Sequence, residues 1–442
     1  MCFLFDKFFH AFGVKPRVVA FAAVLIAPAF ADARPVFAQA HRGIDPLVLT
    51  MQSAVTRAIE NNPTLKAQRF DRTAAEADQL TAGLRQNPSL TINADILPSD
   101  GLGIAEKNYG ISLAVPIELG GKRDARLAAA DAAISVTELQ YRDAIRTTTF
   151  GVRSAFIDLA VAAARAEAYS ENVALLDSLV ALSEIRVRDK DIASVELTRS
   201  EVERDRVQLE ALRLQEAYRA AQMTLGAFMG ASREESRFVA DPALVTNVRT
   251  AAAGVFPSLD SLVAIAERSR SDIQLLRAAE REAEANRQLQ ASLASIDLTV
   301  SLDYFRSQQI TYYGSTLSIP LPIFNRNQGE IAKADVRNEQ AHAQTNAALV
   351  QLRADVTNAY YDALNKQHAL VALDQNVLGK SREVRAAVEY AYRRGGTSLV
   401  DFLDAARTYN ELQQSYVEAL GDFAKSLVQL NATLGTDFFT FS

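Results

Sequence analysis

Ser89-Leu-Thr-Ile-Asn-Ala-Asp-Ile96 returns, slightly reworded, as Asp297-Leu-Thr-Val-Ser-Leu-Asp-Tyr304. In the first stretch Leu90, Ile92, Ala94 and Ile96 alternate with Ser89, Thr91, Asn93 and Asp95. In the second, Ile296, Leu298, Val300, Leu302 and Tyr304 alternate with Asp297, Thr299, Ser301 and Asp303. A period of two predicts a strand with one apolar and one wet face. A further alternation follows each stretch. Ile111, Leu113, Val115 and Ile117 stand opposite Ser112 and Ala114, and Leu317, Ile319 and Leu321 stand opposite Thr316 and Ser318. Four short strands are therefore expected, arranged as two hairpins.

Working outward, the repetition extends over nearly the whole chain at a spacing of roughly 205 residues. Ala58-Ile-Glu-Asn-Asn-Pro-Thr-Leu65 aligns with Ala266-Glu-Arg-Ser-Arg-Ser-Asp-Ile273, and Thr224-Leu-Gly226 with Thr433-Leu-Gly435. Each copy reads as helix, two strands, then long helices. Few helix breakers occur from Lys122 to about Arg186 and from Ser194 to about Phe228, or from Asn327 to about Tyr392 and from Ser398 to Leu434. Helices of that length with no core of their own must pack on one another in coiled-coil-like layers. Pro116, Pro320 and Pro322 mark the handovers from strand to long helix, where a residue without a ladder donor is tolerated. The expected organisation is a targeting segment at residues 1–31, a first repeat at 32–232, a linker at 233–257 and a second repeat at 258–442.

The targeting segment is read from Lys7, Lys15 and Arg17 ahead of an apolar run from Val18 to Phe30, with Ala29-Phe30-Ala31 as the cleavage signal and residue 40 as the latest cut. Cleavage removes three positive charges, one negative charge and the only cysteine, Cys2, so the net charge of −6 becomes −8. That balance argues against nucleic acid as a partner. After the targeting segment no apolar run reaches the length of a transmembrane helix, so membrane insertion would require a β-barrel.

The alternating strands fit either a half-buried soluble hairpin or a lipid face backed by a water-filled lumen. The targeting segment favours the membrane reading, as do strand lengths near those of spanning strands. So do Tyr109, Tyr304, Phe305, Tyr312 and Tyr313, placed near the hairpin ends as an interfacial girdle would be. Four strands cannot close a barrel, whereas three chains would supply twelve. A homotrimer in outer-membrane lipid is the expectation.

With these features together, the chain resembles the TolC-like outer membrane factors, the exit ducts of tripartite efflux and type I secretion systems. Ala114-Val-Pro-Ile-Glu-Leu-Gly-Gly-Lys122 and Leu317-Ser-Ile-Pro-Leu-Pro-Ile-Phe-Asn-Arg-Asn-Gln-Gly-Glu-Ile331 are similar to family signatures at the barrel-to-helix joints, in wording closest to the cobalt–zinc–cadmium branch. The resemblance implies a mainly α fold with a small β part. It also implies a trimeric twelve-stranded barrel continued by a periplasmic α-helical barrel, outer-membrane location, and passive export of heavy-metal cations. Partners would be a periplasmic adaptor and an inner-membrane pump. Organic cargo or type I secretion is the alternative within the family, and a soluble periplasmic scaffold the alternative outside it.

Tyr392-Arg-Arg-Gly-Gly-Thr-Ser-Leu-Val-Asp-Phe-Leu-Asp-Ala405 and Arg188-Asp-Lys-Asp-Ile-Ala-Ser-Val-Glu-Leu197 look like the two helical-hairpin tips of such ducts. By resemblance, Arg188, Ile192, Ala193, Ser194, Arg394, Gly395, Gly396, Ser398 and Leu399 would contact the adaptor. Gly395-Gly396 also reads as a helix C-cap, and Thr397 or Ser398 as an N-cap. Asp401 and Asp404 match the aspartates of the family's periplasmic constriction. Their i,i+3 spacing puts both on one helix face, and three chains would make a ring of six carboxylates. Some relatives lock this gate with an arginine where this chain has Thr397. The simpler reading of both acids is a solvated first helical turn facing its dipole.

Catalytic residues are not nominated. His41, His342 and His368 are scattered without metal-ligand spacing, no phosphate loop or nucleophile elbow occurs, and no cofactor is expected.

Overall fold

The computed structural model describes residues 47–97, 106–307 and 310–440. The expected targeting segment, His41 and most of the loop between the first two strands lie outside the described residues. The first copy runs from β1 (Leu47–Leu49) through α1 (Met51–Asn61), α2 (Pro63–Gly83), β2 (Ser89–Leu97) and β3 (Glu106–Ile117) to α3 (Lys122–Arg188) and α4 (Ser194–Phe228). Next come β4 (Phe238–Ala240) and α5 (Ala243–Ala252). The second copy comprises α6 (Leu259–Ser269), α7 (Ser271–Leu293), β5 (Leu298–Ser307), β6 (Ile310–Ser318), α8 (Gln328–Asn376), α9 (Leu378–Arg393) and α10 (Leu399–Leu434).

Repeated residues do repeated work. Ala58 and Ala266 are both buried, as are Leu65 with Ile273 and Leu225 with Leu434, and all but Leu65 belong to the main apolar cluster. The break between α1 and α2 is built by Asn62, whose side chain accepts from the Thr64 and Leu65 amides and donates to the Phe228 carbonyl at 2.8 Å. Pro63 then occupies the first helical position, where its missing N–H costs nothing. The second copy replaces this cap with an ion cluster: Arg270 bonds Asp272 at 2.7 Å and Asp355 at 3.2 Å.

Residues 233–257 do more than link. β4 pairs in parallel with β1, Leu47 against Phe238 and Leu49 against Ala240, and Phe238, Leu244 and Val248 enter the main core. The apolar spacing of Leu244 and Val248, four residues apart, explains why this stretch folds as a helix on that core.

The four long strands form one antiparallel sheet in the order β2-β3-β5-β6, so the two hairpins join through β3 and β5. Its register sets Leu90 against Leu113 and Leu113 against Leu302, with Ile92 beside Ile111 and Ile111 beside Tyr304. These residues share one face, and among the described residues nothing covers it: Ile92 is 70% and Leu302 62% exposed. On the opposite face the Asp303 carboxylate accepts from the Ser112 hydroxyl at 2.5 Å and the Thr316 hydroxyl at 2.9 Å. Tyr304 packs on Tyr313 and Phe305 stacks on Tyr312 close to the β5–β6 turn. Phe305 also lies against Gly110, its partner on β3, where any added side chain would strike the ring. Among the described residues both outer strands, β2 and β6, keep an unpaired edge.

Below the sheet, α3 is unbroken for 67 residues, about 100 Å at 1.5 Å per residue. Its counterpart in the second copy, expected as a single helix, divides at Val377 (φ −113°, ψ −55°) into α8 and α9. No helix among the described residues is long and apolar enough to cross a membrane.

Candidate functional site: tips, gate and joints

The two helical hairpins turn with the same backbone device. After α3, the Asp191 N–H donates to the Arg186 carbonyl and the Lys190 N–H to the Val187 carbonyl; after α9, Gly396 donates to Ala391 and Gly395 to Tyr392. This pair of bonds is a Schellman ending, which needs a left-handed residue at its pivot. Gly395 takes φ 75° without cost, whereas Lys190 takes φ 64° against the penalty carried by any Cβ. The following helices start differently. Ser398 forms a full capping box with Asp401, while Ala193 supplies no side-chain cap to α4.

A small apolar cluster unites the tips: Leu176 and Leu179 from α3, Val207 from α4, Tyr392 from α9, and Leu399, Phe402 and Leu403 from α10. Tyr392 stacks on Phe402, and the Arg186 guanidinium lies 5.3 Å from the Tyr392 ring centre. Arg188, Ala193, Ser194, Arg394, Gly395, Gly396 and Ser398 are exposed at the turns and Ile192 is half-buried. Leu399 departs from expectation. It is 2% exposed, turned into the tip cluster by its place just inside the Ser398 cap, so it is a core residue rather than a contact.

Asp401 and Asp404 are both exposed on α10. One Asp401 oxygen accepts from the Ser398 hydroxyl at 2.7 Å and the Thr397 hydroxyl at 3.0 Å, and these bonds hold its carboxyl below the usual range. Thr397 is thus a neutral partner to the aspartate. Asp401 caps the helix and still presents a negative charge.

Sequence reasoning missed Glu203. It sits on α4, 4% exposed, and its carboxylate is gripped from two sides: by Arg206 at 2.7 Å and by Arg407 of α10 through two bonds at 3.0 and 2.5 Å. Burial alone would raise its pKa, but the two guanidiniums outweigh that and bring it down to about 2. Because the folded pKa is depressed, this tie between the copies is at full strength above the ordinary glutamate range and is lost as pH falls towards 2. No local motif marks Glu203, because its partner Arg407 is 204 residues away.

A second omission has a signal in the repeat. Ile185 and Val195 flank the first turn, Tyr390 and Val400 hold the same positions around the second, and all four are exposed. Apolar residues thus stand at equivalent, exposed tip positions in both copies.

The joints differ in chemistry. At the first, Lys122 is buried and pairs with Asp297 at 2.7 Å, and Arg126 clasps Glu118 with two bonds at 2.7 and 2.9 Å. Gly120 and Gly121 are both left-handed, and a Cβ on Gly120 would strike Ser295. The second joint is held by Asn327, left-handed at φ 61°, which donates to the Gln290 carbonyl at 2.8 Å. Around it Leu321, Ile323 and Phe324 are exposed, Phe324 by 90%. None of the three prolines occupies a first helical turn. Pro116 lies within β3, paired with Thr299 on one side and beyond the end of the β2 ladder on the other, so its missing donor breaks no bond there. Pro320 and Pro322 lie in the connection between β6 and α8.

An open four-stranded sheet, greasy on one face and polar on the other, carried on paired helical hairpins in two copies, is the architecture of an outer-membrane efflux channel chain. The outer membrane efflux protein family model matches residues 54–231 and 247–436, and the chain belongs to that family. It is 25% identical over 403 residues to the cobalt-zinc-cadmium resistance protein CzcC of Cupriavidus metallidurans, covering 88% of this chain and 90% of that one. Among solved structures, the outer membrane protein VceC of Vibrio cholerae superposes with a TM-score of 0.70 at 17% identity, over 88% of this chain and 96% of its own. CusC, whose structures concern folding and transmembrane channel formation, gives 0.71 at 16% identity, over 93% and 99%. The protein is thus placed in the outer membrane of a Gram-negative cell.

Proposed function

We propose that three copies close one twelve-stranded barrel and that the assembly is the passive exit duct of a tripartite efflux system for heavy-metal cations. The observation that carries this reading is the sheet: two unpaired edges, an uncovered apolar face and a hydrogen-bonded polar face. Neighbouring copies would pair β6 with β2, lipid would cover the Leu90, Ile92, Leu113 and Leu302 face, and Asp303 would face water. The helices then form the tunnel wall. The CzcC likeness supports metal cations as cargo.

At the far end, Asp401 and Asp404 from three chains make the acidic ring, which concentrates cations in a narrow, water-filled throat. Arg188, Ile192, Ala193, Ser194, Arg394, Gly395, Gly396 and Ser398, joined by Val195 and Val400, meet the periplasmic adaptor, through which an inner-membrane pump supplies the energy. Two experiments test the reading. Gradient fractionation should place the protein with the outer membrane as a heat-modifiable trimer, and recovery as a soluble monomer would overturn the duct. Deletion should sensitise cells to zinc, cobalt or cadmium, whereas sensitivity confined to organic compounds would reassign the cargo.

A further inference from the structure

Arg407 poses a problem for an acidic ring. It lies three residues after Asp404 on α10, the spacing at which side chains meet on one helix face, so it could cancel the charge of Asp404. The contact is not made: among the described residues Asp404 forms no direct ion pair, and the Arg407 guanidinium, though near enough to feel its charge through space, is bonded elsewhere. One bidentate edge of Arg407 is committed to Glu203 on the neighbouring helix, through Nε at 3.0 Å and Nη2 at 2.5 Å. Glu203 is buried by the tip and also fixed by Arg206, so its position is set by the fold and not by a flexible chain.

We infer that Glu203 is a specificity-determining residue of the duct: by holding Arg407 against α4, it keeps Asp404 out of a direct ion pair and so preserves the cation preference of the ring. Glu203 acts through Arg407 and does not touch the permeating ion. Its removal would free a guanidinium one helical turn from Asp404, where it is drawn to the carboxylate across a few ångströms. Arg407 would then fold back along α10, and the net charge of each chain's share of the ring would fall by one unit. The inference rests on the reading of Asp401 and Asp404 as a selectivity ring.

The test uses the full-length trimer in planar bilayers, with reversal potentials measured across a potassium chloride gradient. Glu203→Gln should lower the potassium-to-chloride permeability ratio about sevenfold, because one unit charge some 7 Å from a water-filled path shifts the cation and the anion by about RT each in opposite directions. Adding Arg407→Gln in the same chain should restore the original ratio, an outcome that mere loosening of the tip would not give. Glu203→Asp, which can still hold the guanidinium, should stay close to the parent. Arg407→Gln alone should keep or raise the cation preference, and this variant tests the idea even if the Glu203 changes assemble poorly. An unchanged ratio in Glu203→Gln, or no rescue by the second change, overturns the inference while leaving the ring intact. An unchanged ratio in Asp401→Asn with Asp404→Asn overturns the ring itself.

Discussion

The first copy is pinned where the second is bare. At the β3–α3 joint a buried lysine, two ion pairs and a glycine pair hold the chain, while the β6–α8 connection leaves Leu321, Ile323 and Phe324 in the open. At the tips the order reverses: the second copy has the glycine pivot and the capping box, and the first makes do with Lys190 and an uncapped Ala193. Duplicated architecture therefore does not entail duplicated energetics. Each half is fastened at the end where its own chain supplies partners, and is left for other surfaces to complete at the opposite end.

Changes at the pinned joint should have the largest effect. Gly120→Val combines the left-handed penalty of about 1–2 kcal/mol with a collision against Ser295, and should sharply lower the thermal midpoint of the detergent-solubilised protein or abolish assembly. Next comes Lys122→Met, which leaves Asp297 without its buried partner and should cost roughly 3 kcal/mol in denaturant unfolding. Asn327→Ala at the bare joint should cost only about 1 kcal/mol; equal losses from Lys122→Met and Asn327→Ala would erase the contrast between the joints. At the tips, Ser398→Ala should cost about 1 kcal/mol, and Ala193→Ser, which completes a capping box with Glu196 three residues on, should recover a similar amount. Lys190→Gly should give the smallest response, a stabilisation of up to ~1 kcal/mol from relief of its left-handed backbone. If it destabilises instead, the lysine side chain has a packing role that outweighs the strain.

The strands were legible because alternation is a local property: Ile92, Leu113 and Leu302 announce their face residue by residue. The hairpin turns were legible through Gly395-Gly396 and, by register of the repeat, at Asp189-Lys190. Other features depended on distance in the chain. Glu203 meets Arg407 across 204 positions, and no local pattern distinguishes it from the many helical acids around it. β4 was hidden in a stretch of proline and glycine because its partner β1 lies at the other end of the first copy. Leu399 was misjudged for a related reason: a turn residue's exposure is decided by the helices packed beside it, here α3 and α4. The handover at Pro116 was legible from composition, but why proline is tolerated there depends on where β2 ends, a fact of pairing.

The unbroken length of α3 bears on how substitutions combine. Its two ends lie about 100 Å apart, many times the roughly 8 Å over which charge is felt at physiological salt and well beyond the 7–10 Å within which stability changes interact. A change at Lys122 and one at Glu203 should then sum without interaction, so the barrel end and the tip end can be altered by selection as separate parts of a single rod.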